Sequence, residues 1–215
     1  MFSPGWGRKI VFILGLTGSI AMGKTTASEM FRRLGVPVHD SDASVHALMA
    51  LGGAAVVPVE RAFPGVVEAG AVNRQQLGEM VFGDPEALGA LEGIIHPMVR
   101  GVEKKFLANC ARRRTSLVLL DVPLLFEAGG YLRCDAVAVV TAPARMQRQR
   151  AMSRPGMTAE KFNSIKQQQL SDAEKRRRSN FIIQTGLGKT HSLRTIRKIV
   201  TLCQNLPATH WPPKR

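Results

Sequence analysis

Short uninterrupted runs of apolar residues recur along the chain, each bounded by Gly, Pro, Asp or Asn. Runs of this kind are typical of strands buried on both faces of a parallel sheet. Between them, apolar residues recur at helical spacing. The pattern predicts strands over residues 10–14, 36–40, 117–121, 136–140 and 181–183.

The segments between these strands have the periodicity and the capping residues of helices. Asn73, Asp84 and Ser171 are predicted N-caps, and His96-Pro97 is predicted to start a long basic helix. Alternating strands and helices predict an α/β fold with a parallel sheet, which binds ligands at the carboxyl ends of its strands. The helices are predicted over 26–34, 43–51, 54–115 with interruptions, 144–153, 158–170, from 171 onward, and 191–206.

The stretch Gly18-Ser19-Ile20-Ala21-Met22-Gly23-Lys24-Thr25 lies between the first predicted strand and the first predicted helix. It fits the phosphate-loop pattern G-x-x-x-x-G-K-[ST], in which backbone N–H groups and the start of a helix surround a phosphate. Lys24 would add a positive charge at the β- and γ-phosphates, and the Thr25 hydroxyl would bind Mg²⁺. The alternative is a glycine-rich turn without a ligand.

Acidic residues lie at or just after the ends of two other predicted strands. Asp40 and Asp42 come after the second, Asp121 ends the strand at 117–121, and Glu127 follows soon after. Because the carboxyl ends of parallel strands lie at one edge of a sheet, we expect these acids to converge with residues 15–23 on one crevice.

Composition narrows the class of protein. The chain has 215 residues, 45% of them hydrophobic, which predicts one globular domain and excludes a disordered chain. Its net charge of +14 favours polyanionic partners. Three Cys without a C-x-x-C pair predict reduced thiols in a cytoplasmic protein. The sequence shows neither a secretory signal nor an apolar run long enough to span a bilayer.

With these motifs the chain resembles the dephospho-CoA kinase family, from Ile10 to about Leu202. Val122-Pro123-Leu124-Leu125-Phe126-Glu127 after an apolar strand is the most specific of them. The others are residues 16–26, Asp40-Ser41-Asp42, His96-Pro97, and the run of Gln147, Arg150 and Arg154.

The resemblance implies transfer of the ATP γ-phosphoryl group to the ribose 3′-hydroxyl of dephospho-CoA, with Mg²⁺. It implies a P-loop NTPase three-layer fold within one kinase domain over 9–215. The parts are a core (9–42, 116–143, 179–206), a helical CoA-binding insertion (43–115), a helical lid (144–178) and flexible tails (1–8, 207–215).

The resemblance also implies roles for single residues. Asp42 would be the base or orienter beside the acceptor hydroxyl, although an N-cap is an alternative, and Lys24 and Arg154 would stabilise the transferring phosphoryl group. Residues implied to bind ATP are Gly18, Ala21, Met22, Gly23, Lys24, Thr25, Thr26 and Arg150. Residues implied on the acceptor side are Asp42, His46, His96, Leu124 and Glu127. Thr25, and Asp121 through water, would hold Mg²⁺.

For four of these residues a plainer role stays open. Arg150 and Arg154 could be surface charge, and Glu127 a carboxylate at a helix start. His96, before Pro97, is more typical of a structural residue.

Four residues depart from the family pattern. Ser19 and Ala21 replace glycines, and because Ala disfavours positive φ we expect strain at Ala21. His46 stands where an Arg is common, and Thr185 replaces an Asn near the adenine. The second Gly-Lys-Thr, residues 188–190, lacks the first glycine of the pattern because position 183 is Ile.

Two other functions compete with this interpretation. One is a P-loop kinase for another nucleoside or nucleotide acceptor. The other is a basic nucleic-acid-binding protein, but aromatic residues make up only 6% of the chain, too few to favour base stacking. We therefore expect a monomeric enzyme that uses ATP and dephospho-CoA and binds neither nucleic acid nor a membrane.

Overall fold

The computed structural model describes residues 10–212, so the expected tail at 1–8 and the last residues of the chain lie outside the described part. The chain divides into two compact units, a core formed by residues up to His39 and from Asn109 onward, and an insertion over Asp40–Ala108.

The core contains a five-stranded sheet in the order β2-β5-β1-β6-β7, and its β1–β5, β1–β6 and β6–β7 pairs are parallel. Helices α1 and α9 pack against the sheet through apolar side chains such as Phe31 and Ile196. This confirms the predicted α/β class. The strands are β1 Phe12–Thr17, β2 Val38–Asp40, β5 Leu117–Asp121, β6 Ala136–Thr141 and β7 Phe181–Gln184, and the helices are α1 Lys24–Arg33, α6 Ala144–Met152, α7 Ala159–Gln167, α8 Asp172–Arg178 and α9 Lys189–Asn205.

The insertion is mainly helical and has its own apolar cluster, which includes Val59, Val72 and Leu77. Asn73 and Asp84 cap helices as predicted, since each side chain accepts hydrogen bonds from backbone N–H groups in the first turn. The elements are α2 Ser41–Met49, α3 Val56–Ala62, β3 Val67–Glu68, β4 Ala71–Val72, α4 Arg74–Val81 and α5 Pro85–Arg112.

Two predictions for the insertion were wrong. A hairpin, β3–β4, interrupts the region expected to be helical, because Ala69 and Gly70 both adopt positive φ, at 48° and 79°, and turn the chain. Helix α5 does not begin at His96-Pro97 but at Pro85, and it runs through Pro97. The proline costs this helix one backbone hydrogen bond, a loss that capping and packing along 28 residues offset.

The carboxyl-terminal segment was expected to be a flexible tail from Pro207. In the structure the backbone N–H and the hydroxyl of Thr209 donate to Asp135 Oδ1, at 2.6 and 2.9 Å, and His210 Nδ1 lies 3.0 Å from the same oxygen. Asp135 Oδ2 accepts from the N–H of Ile13 in β1. The segment is therefore joined to the sheet as far as His210.

Candidate active site

The loop between β1 and α1 alternates in backbone handedness as an anion-binding loop requires. Ala21 has φ 60° and Gly23 has φ 92°, both in the left-handed region, and Gly23 is the N-cap of α1. Such alternation turns successive N–H groups toward one point, and the helix dipole adds positive potential there. Gly18 has no room for a side chain, because a Cβ would lie 2.2 Å from Cγ2 of Val140.

The strain expected at Ala21 is present, since it is a non-glycine residue at positive φ. Its methyl group is buried in a small apolar cluster with Ala151 and Phe162, from α6 and α7. Left-handed backbone costs an alanine about 1–2 kcal/mol. The surrounding contacts must therefore hold this conformation.

Lys24 and Asp121 form an ion pair at the carboxyl ends of β1 and β5. Lys24 Nζ lies 2.7 Å from Asp121 Oδ1, and the Asp121 side chain is only 3% exposed. The structure thus brings the phosphate loop and the acid at 121 together, as predicted. Lys24 is thus held by a buried carboxylate of the neighbouring strand. The Mg²⁺ contact implied for Asp121 stays a prediction.

Two threonines follow the lysine at the start of α1. Thr25 and Thr26 are exposed. Among residues 10–212, the Thr25 hydroxyl makes no hydrogen bond, so it is available to a ligand. No group of three His, Cys, Asp or Glu side chains in this part of the chain could hold a metal ion by itself.

Arg150 and Arg154 lie at the end of α6 and just beyond it. Arg150 donates from Nη1 to Thr185 Oγ1 and from Nη2 to the Thr185 carbonyl, both at 3.0 Å. Thr185 Oγ1 donates to the Met22 carbonyl at 2.7 Å. Arg150 is therefore connected to the phosphate loop through Thr185, whereas Arg154 is exposed.

The segment after β5 is fixed to β1 by two hydrogen bonds. Thr17 Oγ1 donates to the Pro123 carbonyl at 2.8 Å, and the N–H of Val122 donates to the Leu16 carbonyl. Leu124 is left 42% exposed. The substrate contact predicted for Leu124 stays a prediction.

Glu127, which ends this segment, is engaged inside the core. Its Oε1 lies 2.9 Å from Nζ of the fully buried Lys175 in α8 and accepts from the N–H of Leu170. Burial by itself raises the pKa of Glu127, but these hydrogen bonds outweigh it and hold that pKa below its usual value. The predicted acceptor contact of Glu127 stays a prediction.

Asp40 and Asp42 have different roles in the insertion. Asp40 is the N-cap of α2, since its Oδ1 accepts from the N–H of Ala43 at 3.0 Å. Asp42 lies in the first turn, exposed, and within the described residues its carboxylate has no hydrogen-bond partner. Asp40, and not Asp42, is therefore the N-cap of α2. His46, one turn further along α2, is also exposed.

His96 lines a surface groove of about 610 Å³ along α5. Glu92, Arg100 and Lys104 line the same groove. The groove therefore carries charges of both signs, and the acceptor contact predicted for His96 stays a prediction.

Sequence reasoning missed the contacts by which three residues hold the loop from outside. Gln147 and Gln169 contact the backbone of Ile20, and Thr185 contacts that of Met22. Gln147 belongs to the run that carries the family resemblance, but nothing in the sequence gives it a partner. These contacts span 127, 149 and 163 positions, so only the folded chain reveals them.

These features define the class of P-loop nucleotide-binding proteins: a parallel sheet, a phosphate loop before a helix, Lys24 at the start of that helix and Asp121 on the neighbouring strand. Comparison with known proteins narrows this class. The family model "Dephospho-CoA kinase" matches residues 12–189, and the chain belongs to that family. The predicted resemblance is confirmed, and with it an ATP-dependent kinase of the dephospho-CoA kinase type.

The similarity covers most of the chain. A dephospho-CoA kinase of Paramagnetospirillum magneticum is 60% identical over 76% of this chain and 77% of its own length. One of Rhodospirillum rubrum is 50% identical over 90% of this chain and 92% of its own. The crystal structure of TT1252 from Thermus thermophilus superposes with a TM-score of 0.81 at 33% identity, over 92% of this chain and all of that one.

Proposed function

We propose that the protein transfers the γ-phosphoryl group of ATP to the 3′-hydroxyl of dephospho-CoA, giving CoA and ADP. The observation that carries this proposal is the phosphate loop with Lys24 held 2.7 Å from Asp121. Family membership supplies the acceptor, and the loop supplies the site for a triphosphate.

The residues of the core would bind and polarise ATP. The N–H groups at the start of α1 and the Lys24 ammonium face developing negative charge, and Arg150 and Arg154 add guanidinium groups from the lid. Gly18, Ala21, Met22, Gly23 and Thr26 shape the loop that surrounds the phosphates.

The residues present fit Mg²⁺. The Thr25 hydroxyl is exposed, and the Asp121 carboxylate lies at the adjacent strand end, so the site offers the oxygen ligands that this ion prefers. Bound there, Mg²⁺ would neutralise charge on the phosphate oxygens.

Asp42 would act on the acceptor. Its carboxylate takes the proton of the 3′-hydroxyl as that oxygen forms a bond to the γ-phosphorus, and the bond from phosphorus to the ADP oxygen breaks. An exposed carboxylate without a partner in the described part of the chain supports this role, because it is available to a substrate hydroxyl. His46, His96, Leu124 and Glu127 complete the proposed acceptor contacts.

The proposal includes a monomeric enzyme of the cytoplasm whose partners are small molecules rather than nucleic acid. The three Cys are free and buried, as suits a reducing compartment. In the described part of the chain no helix is long and apolar enough to cross a bilayer.

The direct test is ADP release by the purified protein with ATP and Mg²⁺, using dephospho-CoA, adenosine or AMP as acceptor. We expect release only with dephospho-CoA, and a product heavier by one phosphoryl group. If adenosine or AMP drives the release instead, the protein is a kinase, but dephospho-CoA is not its acceptor. Retention of nucleic acid without turnover would support the basic binding protein instead.

A further inference from the structure

The peptide groups flanking Ile20, in the middle of the phosphate loop, are held from two directions by glutamines of the lid. The N–H of Ile20 donates to Gln169 Oε1 at 3.0 Å, and Gln147 Nε2 donates to the Ile20 carbonyl at 2.9 Å. We infer that Gln147 and Gln169 are positioning residues that fix the phosphate loop in its ATP-binding conformation. The inference rests on the proposed ATP site.

The loop needs such support because its conformation is strained. Ala21, the residue after Ile20, has φ 60°. Within the loop, the N–H of Met22 donates to the Ser19 carbonyl at 3.1 Å. A loop already held in its binding conformation loses less conformational entropy when a ligand binds. The two glutamines therefore act on ATP affinity without touching ATP.

The core fixes Gln169 in turn. It lies between α7 and α8, and the next residue, Leu170, donates its N–H to Glu127 at 2.9 Å. Glu127 is paired with Lys175, whose side chain is completely buried. This ion pair anchors the turn that carries Gln169, so the Gln169 side chain is presented to Ile20 from a fixed backbone.

The α6 helix fixes Gln147, which is only 3% exposed. Its amide group donates, whereas that of Gln169 accepts. Replacement of glutamine by glutamate changes little in size but removes the donor and keeps an acceptor. Gln169→Glu therefore preserves its contact with Ile20, and Gln147→Glu places a carboxylate oxygen against the Ile20 carbonyl.

The two variants control for one another, because each adds one negative charge beside the same residue. Calorimetry with ATP should give a dissociation constant at least tenfold higher for Gln147→Glu than for Gln169→Glu. The dissociation constant for dephospho-CoA should change less than threefold in both. Equal weakening of ATP binding would indicate charge repulsion alone, and parental binding in both would indicate no positioning; either result overturns the inference.

Thermal unfolding establishes whether each variant folds. If Gln147→Glu does not fold, the neutral pair Gln147→Met and Gln169→Met replaces it, and each should weaken ATP binding about tenfold. Parental affinity in both methionine variants would overturn the inference. A parent protein that fails to bind ATP would overturn the proposed function itself, whereas a parent that binds and variants that behave alike overturn only this inference.

Discussion

At the scale of the residue, Lys24 has a natural control within the same chain. Gly23-Lys24-Thr25 and Gly188-Lys189-Thr190 have the same letters, and each lysine is the first residue of a helix after a glycine with positive φ. Only Lys24 follows a complete phosphate loop and pairs with Asp121. The same three residue types therefore do not make residues 188–190 a second phosphate-binding site.

Lys24→Met should lower kcat/KM for ATP by about 10² to 10³, because it removes a charge that stabilises the transferring phosphoryl group. Lys189→Met should leave kcat/KM within about twofold. Steady-state kinetics on the two variants measures both values of kcat/KM. Equal losses in both would contradict the assignment of the loop.

Ala21 shows what one residue reveals before the fold is known. Its strained backbone followed from the motif, since the loop demands positive φ at a position where alanine stands. Its methyl contact with Ala151 and Phe162 did not, because those residues come from helices more than a hundred positions away.

At the scale of the element, two acids at the start of α2 have separate roles, one in the stability of the helix and one in the proposed chemistry. Asp40 caps this helix, and Asp42 does not. Asp40→Ala should lower the free energy of unfolding by about 0.5–2 kcal/mol, whereas Asp40→Asn should stay near the parent because Asn also caps. Chemical denaturation measures both variants. Parental stability of Asp40→Ala would contradict the capping role.

The ion pair between Glu127 and Lys175 joins α8 to the segment after β5. It should make the free energy of unfolding depend on pH in the acidic range. The pKa of Glu127 in the folded protein is lowered, so its stabilisation is present above the unfolded value, about 4.3, and is lost as pH falls through the folded value. The free energy of unfolding of the parent should exceed that of Glu127→Gln at pH 7, and the two should converge as the pH falls below the lowered pKa of Glu127 in the folded protein.

Denaturant titrations from pH 7 to pH 3 on both proteins give this comparison. A difference that stays constant over the whole range would show that the Glu127 carboxylate carries no stabilising charge, and would contradict the role given to Lys175.

Elements that are specified by local sequence signals were predicted correctly, whereas elements that depend on packing between distant residues were not. Asp84 with Pro85 predicted the start of a helix correctly. That the same helix continues through Pro97 depends on its packing within the insertion, for which the local sequence gives no sign. The β3–β4 hairpin was missed because its turn uses Ala69-Gly70 rather than the familiar Asn-Gly.

At the scale of the whole molecule, the α/β class and the family followed from the order of motifs along the chain. The network behind the phosphate loop did not, because Gln147, Gln169, Lys175 and Thr185 meet the loop and its neighbours only in the folded core. Motifs thus predict which groups react, and the fold determines what holds them.

The net charge of +14 is a property of the whole molecule. Part of the basic run at 176–178 is engaged locally, since Arg177 and Arg178 both pair with Glu174 on α8. A positive surface favours the approach of phosphorylated substrates, which fits ATP and dephospho-CoA.

The measurement that tests the account most directly is ADP release with dephospho-CoA by the parent and by Asp42→Asn, with ATP binding measured on both proteins. We predict a loss of at least 10² in kcat for the variant, an unchanged affinity for ATP and an unchanged free energy of unfolding. Parental turnover by Asp42→Asn would contradict the role of Asp42, and an absence of dephospho-CoA-dependent ADP release by the parent would contradict the function.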